Sequence, residues 1–365
     1  MYTELLKIIE GGLVGDKERV YAYAAVLANN LKRQQEHRIA DKIEKLLERR
    51  ATPSMVTLDS FTSKPLDSES RLELVEVTSP YVKPEEVVLL PSVEWEVSQF
   101  VEGYERRDLL LAQGIEVQHT MLLYGPPGCG KSTVASLIAS SIGLPLVTAR
   151  LDGLVSSLLG STAKNIRKVF DYVSRQQCIL FLDEFDVIAK LRDDKNELGE
   201  LKRVVNSLIQ NIDALGSSTI LLAATNHENL LDPAIWRRFS RVLHLDYPAQ
   251  EEMRRMVELV LEGKPNKILG NEKKMGQIVD ACVEVSHADI RTVLTNALRR
   301  RFLLGGKVLF ASDVLKELIL FKHHGQIEQD YLIQQLLSMG CTHRELNGEQ
   351  GFPLRRIQTL SKDAI

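Results

Sequence analysis

Gly125-Pro126-Pro127-Gly128-Cys129-Gly130-Lys131-Ser132 is the stretch on which the reading of this chain turns. An apolar run over 121–124 leads into it, and a helix-compatible run over 133–142 follows it. The spacing is GxxxxGK[ST], a loop between a strand and a helix. Glycines let successive backbone N–H groups curl around phosphate oxygens, and the start of a helix adds positive potential. Lys131 then reaches the terminal phosphates, and the Ser132 hydroxyl ligates Mg²⁺. Gly125, Pro126, Pro127, Gly128, Cys129, Gly130, Lys131, Ser132 and Thr133 are therefore the candidate nucleotide contacts. A bare strand-to-helix turn is the plainer alternative, and Lys-Ser between correct flanks argues against it. Cys129 is open to two readings. A thiol at a helix start can ionise easily, but a small filler in a backbone-driven loop is simpler.

Downstream, Ile179-Leu180-Phe181-Leu182-Asp183-Glu184 is a buried-strand pattern that ends in two acids. Carboxylates there need a metal or water to face. Asp183 fits the Mg²⁺ contact, and Glu184 fits the base that polarises an attacking water. Asp186 reads as a helix-start acid. Ala223-Ala224-Thr225-Asn226 is another strand ending in polar groups, where open parallel sheets place ligands, so Asn226 is placed to orient water or touch the γ-phosphate. Arg237 and Arg238 follow in Leu231-Asp232-Pro233-Ala234-Ile235-Trp236-Arg237-Arg238-Phe239. Arginine suits the charge that develops in phosphoryl transfer, although an arginine pair in isolation reads as a solvated face.

GPPGCGKST, LFLDEFD, AATN and LDPAIWRRF, in this order, resemble an AAA+ ATPase of the AAA clade. Ser286-His287-Ala288-Asp289-Ile290 resembles that clade's SGADI element, with His287 at its second position. The resemblance covers about residues 87–320. It implies a P-loop NTPase αβα domain with a helical lid, Mg-ATP hydrolysis and a ring, usually hexameric. It also implies that Arg237 and Arg238 act on the neighbouring subunit's ATP and that Gly114 and Ile115 lie beside the adenine. Many members thread protein through a pore with an aromatic-hydrophobic-Gly loop. Leu158-Leu159-Gly160 stands at that place, with Leu158 where an aromatic is expected, which argues against strong processive unfolding. Residues 192–200 read as a second pore or surface loop.

The pattern predicts strands over 120–124, 145–151, 178–182, 219–225 and 241–245, separated by amphipathic stretches. That is an α/β fold with a parallel five-stranded sheet covered on both faces. The nucleotide domain runs over 87–247. Helices over 251–262, 272–285, 289–304 and 312–322 form a lid over 248–322. Before the domain, 1–50 reads as three short helices, a candidate adaptor for a partner. A tether over 51–86 links it, loosely ordered where eight of the residues 51–70 are Ser or Thr, with an extended segment over 72–77.

Residues 323–365 form a helical extension. Thr342 suits a helix cap and Pro353 a helix start, a degenerate helix-turn-helix with Arg355 and Arg356 at the candidate reading helix. Against DNA contact, residues 322–365 hold five Lys or Arg and five Asp or Glu. Packing or partner docking is the simpler role.

Composition closes off other classes. The chain has 365 residues, 46 Lys and Arg against 49 Asp and Glu, and a formal charge of −3. Such balance excludes a general polyanion binder. No apolar run is long enough for a membrane span, and four scattered cysteines fit a reducing cytoplasm. His323, His324, Cys341 and His343 lack zinc-ligand spacing. Two functional readings stand. One is an oligomeric ATPase that remodels, disassembles or delivers a protein partner. The other is a DNA-associated ATP-dependent switch. The whole chain resembles stand-alone bacterial AAA proteins often encoded beside a subtilisin-like protease, which points toward plasmid competition or anti-phage defence.

Overall fold

The computed structural model describes residues 64–67, 71–115, 118–150, 159–186, 198–216 and 219–362, together with Leu27, Leu31, Ile39 and Lys42. Those four isolated residues are helical, and the remainder of the expected adaptor lies outside the described residues.

The centre is a sheet of β1 (Glu76–Thr78), β2 (Thr120–Tyr124), β3 (Leu146–Arg150), β4 (Ile179–Asp183), β5 (Ile220–Thr225) and β6 (Arg241–His244). Its order is β1-β3-β4-β5-β2-β6. The five strands from β2 to β6 are mutually parallel, as the alternating pattern predicted, and β1 adds a sixth that runs antiparallel to β3. The extended segment before the domain thus joins the sheet edge, because Leu74 and Val75 bury in the same core as Val147. Part of the tether is also tied down. Asn165 Nδ2 donates to buried Asp67 Oδ1 at 2.8 Å, and Lys168 Nζ donates to the Leu66 carbonyl.

Successive strand residues point to opposite faces. Leu122, Leu180, Leu182 and Leu221 therefore pack with Ile166, Val169 and Phe170 of α4 (Leu159–Val173) and Val204 and Leu208 of α5 (Leu198–Asp213). Met121, Leu123, Phe181 and Leu222 pack on the other side. Their partners are Val93, Val97 and Phe100 of α1 (Pro91–Glu105) and Val134 and Ile138 of α3 (Lys131–Ile142). Short α2 (Arg107–Ala112) follows α1, and α6 (Pro233–Trp236) precedes β6. Each fully buried Leu or Phe contributes about 2 kcal/mol, so two-sided burial accounts for the continuous apolar runs.

Beyond the sheet lie α7 (Gln250–Leu261), α8 (Glu272–Ala281), α9 (His287–Leu303) and α10 (Ala311–Lys322). The second of these stops earlier than predicted. Glu284 takes a left-handed φ of 55°, and Ser286 then caps α9 by accepting from the Asp289 N–H. The tail forms α11 (Gln329–Ser338), α12 (His343–Gly348) and α13 (Leu354–Lys362). Thr342 and Glu345 make a reciprocal cap on α12. Ile333, Leu336, Leu346, Ile357 and Leu360 share one core with Met253, Val293 and Leu315 of the lid. Arg356 of the candidate reading helix pairs with Asp330 on α11. No helix among the described residues is long and apolar enough to cross a membrane.

A strap over 82–89 connects the two bodies. Its Val82 amide donates to Ser140 Oγ on α3 at 3.0 Å, and that hydroxyl donates back to the Val82 carbonyl at 3.1 Å. Val88 buries in the lid core, whereas its neighbour Leu89 buries in the core between sheet and α1.

Candidate functional site

Parallel pairing sets the strand ends side by side. Tyr124 lies opposite Thr225, and Leu182 lies opposite Ala223. The residues that follow, Gly125, Asp183 and Asn226, therefore come off one edge of the sheet together. This is the edge at which open α/β sheets bind ligands.

The loop after β2 is specified by contacts that only glycine permits. Gly125 has φ 138°, and a Cβ there would sit 2.1 Å from the Leu245 carbonyl oxygen. Gly128 has φ 77°, and a Cβ there would sit 2.3 Å from Ser286 Oγ in the lid. The Gly128 carbonyl accepts the Ala288 N–H at 3.1 Å, so the first turn of α9 is bonded directly to the loop. Lys131 is buried, and its Nζ donates to the Gly125 and Pro126 carbonyls at 2.8 Å each. Burial lowers its pKa from the ordinary lysine value. Ser132 and Thr133 are exposed to the cleft. Burial pushes the Cys129 thiol up to about 11, which supports its reading as a filler.

The acids at the end of β4 are held by a strained turn. Glu184 has φ 53°, and its N–H donates to Asp183 Oδ1 at 2.9 Å. The Phe185 N–H donates to the Ala224 carbonyl at 2.8 Å, and its ring packs edge-on against Phe239. The turn is anchored on both sides while Glu184 is presented between them. Asp186 is buried and accepts from Thr225 Oγ1 and the Asn226 N–H at 3.4 and 3.5 Å. It ties the end of β4 to the end of β5, a role that its expected place at a helix start did not suggest.

These residues line a cleft of about 640 Å³. Pro127 to Thr133, Asp183, Glu184 and Asn226 form its polar side. Val82, Val87 and Leu89 of the strap line it too, as do Met256, His287 and Arg291 of the lid. Sequence reasoning missed this apolar wall, since scattered Val and Leu carry no motif. Gly114 and Ile115 do not line the cleft, which corrects their placement beside the base. They precede the start of β2, whereas the loop follows its end, a strand length of roughly 16 Å away. Ile115 is 48 % exposed.

Arg237 and Arg238 do not line it either, but they differ from each other. Arg238 makes a two-pronged pair with Asp213, Nε to Oδ1 at 3.1 Å and Nη2 to Oδ2 at 3.2 Å, and caps the Ala234 carbonyl. Arg237 is exposed, with no ion pair or hydrogen bond among the described residues. Trp236, just before it, packs edge-on against Tyr124 at the end of β2. Leu158 and most of 192–200 lie outside the described residues.

A glycine loop joining β2 to a helix, with acids at the end of β4 two strands along the same sheet, defines a P-loop nucleotide-binding domain. Residues 121–247 match the family described as "ATPase family associated with various cellular activities (AAA)". An uncharacterized AAA family ATPase of Sinorhizobium fredii, y4kL, is 42 % identical over 197 residues, 54 % of this chain and 60 % of that protein. An ATP-dependent zinc metalloprotease FtsH of Corynebacterium glutamicum is 30 % identical over 229 residues, 61 % of this chain and 26 % of the relative. The peroxisomal ATPase PEX1 of Dictyostelium discoideum is 33 % identical over 215 residues, 58 % and 17 % of the two chains. The chain thus spans 60 % or less of the length of these relatives.

Proposed function

We propose that this protein is a Mg-dependent ATPase that assembles into a ring and spends ATP on remodelling or delivering a protein partner. The observation that carries the reading is the convergence of Lys131, Ser132, Asp183, Glu184 and Asn226 in one cleft whose lid is bonded to the phosphate loop.

The residues fit the nucleotide and its metal. Lys131 Nζ rests on two carbonyls of its own loop, so an ammonium is already positioned where phosphate oxygens can take over those bonds. Loop amides and the N-terminus of α3 hold the phosphates. Ser132 and Asp183 would hold Mg²⁺, which when bound neutralises charge on the terminal phosphate oxygens. Glu184 accepts a proton from the attacking water, and Asn226 orients that water. Arg237, exposed and outside its own cleft, is the side chain that reaches a neighbour's ATP, while Arg238 fixes the position of α6 through Asp213.

Relatives named as an ATP-dependent protease and a peroxisomal ATPase support action on protein. The tail supports packing over DNA reading, because its buried residues complete the lid core and Arg356 is engaged by Asp330. The protein is expected in the cytoplasm, with a subtilisin-like protease as a candidate partner. The test is a pair of variants in ATPase and binding assays. Lys131→Ala loses ATP binding. Glu184→Gln binds ATP but loses turnover at least a hundredfold, and trapped partners are recovered from it with ATP. Near-normal turnover in Glu184→Gln removes the base assignment, and undiminished turnover by a dilute monomer removes the ring.

A further inference from the structure

His287 is the first residue of α9, and it lines the cleft together with Val82, Val87, Leu89 and Met256. Both imidazole nitrogens are buried and make no hydrogen bond among the described residues. Buried polar atoms normally have partners, because leaving water without one costs free energy. The other polar groups of this turn are satisfied. Ser286 Oγ donates to Asp289 Oδ2 at 2.7 Å, and the Ala288 N–H bonds to Gly128. Among the described side chains of this turn, His287 keeps its hydrogen-bonding capacity, at a position that lines the cleft.

The cleft has two chemically distinct sides. Phosphate-binding groups come from the strand ends and the loop, and the apolar groups come from the strap and the lid, which also contribute Glu86 and Arg291. With phosphates at the loop, the nucleoside falls among the strap and lid residues, where His287 stands. We propose, building on the ATPase reading, that His287 is a specificity-determining residue whose imidazole hydrogen-bonds the nucleoside of the bound nucleotide. Burial also holds its pKa below the ordinary histidine value, so at neutral pH the ring is uncharged and offers one N–H donor and one acceptor. That pair matches the donor and acceptor groups of a base edge or a ribose hydroxyl. It offers nothing specific to a phosphate.

The test is calorimetric binding of ATP, 2′-deoxy-ATP and inorganic tripolyphosphate, with Mg²⁺, to the full chain. His287→Phe keeps the ring and removes both nitrogens. It is expected to weaken ATP about tenfold, the loss of about one hydrogen bond, and to leave tripolyphosphate unchanged. His287→Asn, which restores a donor and an acceptor, is expected within about threefold of the parent. It also serves where the phenylalanine variant does not fold. A penalty that persists with 2′-deoxy-ATP assigns the contact to the base, and one that vanishes assigns it to the 2′-hydroxyl; both support the proposal. Unchanged ATP affinity in His287→Phe overturns it, as does an equal loss for tripolyphosphate. If the parent chain binds no ATP at all, the ATPase reading itself falls.

Discussion

The Ala288 N–H of the lid donates to the Gly128 carbonyl of the phosphate loop at 3.1 Å, and no side chain mediates the contact. A helix start has unsatisfied N–H groups, and here one of them is spent on the loop that cradles phosphate. Lid position and loop shape are therefore coupled through a single backbone bond.

Gly128→Ala tests that coupling. An added Cβ meets Ser286 Oγ at 2.3 Å, and the residue must also hold φ 77°. The left-handed conformation alone costs about 1–2 kcal/mol for alanine, before the clash displaces the lid. ATP affinity is expected to fall more than tenfold, with a lower melting temperature. Gly130→Ala has the same backbone cost but an unobstructed Cβ, so it separates strain from lid displacement.

Glu184 holds φ 53°, and a non-glycine residue in that region is under strain. Glu184→Gly and Glu184→Ala both remove the carboxylate and are expected to lose hydrolysis. They differ in stability. Glycine relieves about 1–2 kcal/mol of strain and loses about 0.5–1 kcal/mol to unfolded-state freedom, so it is expected to be the more stable by about 0.5–1 kcal/mol. Denaturant unfolding of the two variants measures that difference.

Arg237 and Arg238 are adjacent but are predicted to fail differently. Arg237→Ala is expected to lower turnover at least tenfold with an unchanged melting temperature, and activity returns on mixing with Glu184→Gln subunits that supply the arginine. Arg238→Ala breaks a two-pronged pair and is expected to lower the melting temperature as well, and Asp213→Ala reproduces that shift. Mixed-subunit ATPase assays alongside thermal unfolding distinguish the two.

Lys274 and Glu345 pin α8 to α12. Burial pushes Glu345 up, but hydrogen bonds from Lys274 and the Thr342 N–H outweigh it and hold the carboxyl below its ordinary value. A depressed carboxylate stabilises the fold above its unfolded pKa of about 4.3, and the contribution is lost as pH falls through the lower folded value. Glu345→Gln is expected to cost about 2 kcal/mol at pH 7. The gap to the parent should close below pH about 4.

Much of this site was legible because its chemistry is local. The loop from Gly125 to Ser132 and the acids at the end of β4 announce themselves within eight residues, and a buried parallel strand reads as an unbroken apolar run. What depends on pairing was not legible. Residues 76–78 joined the sheet because β3 had an open edge, which no pattern within the segment reveals. Gly114 and Ile115 were assigned to the base by family likeness, yet they sit before β2 and the loop sits after it. The wall formed by Val82, Val87 and Leu89 consists of ordinary aliphatics, whose role comes from position alone. The difference between Arg237 and Arg238 arose from Asp213, about 25 positions earlier, a partner that only the fold supplies.

Val88 and Leu89 are neighbours seated in different cores. Their Cα atoms are about 3.8 Å apart, so the chain has no slack to share between the two bodies at this point. A lid that swings away must either turn about the dihedrals of this pair or extract Val88 from its seat. Extraction costs about 1.5–2 kcal/mol, more than a tenfold bias in population. The pair works as a catch that opposes lid displacement by about that amount. Because it lies in the cleft wall, what fills the cleft bears directly on the catch.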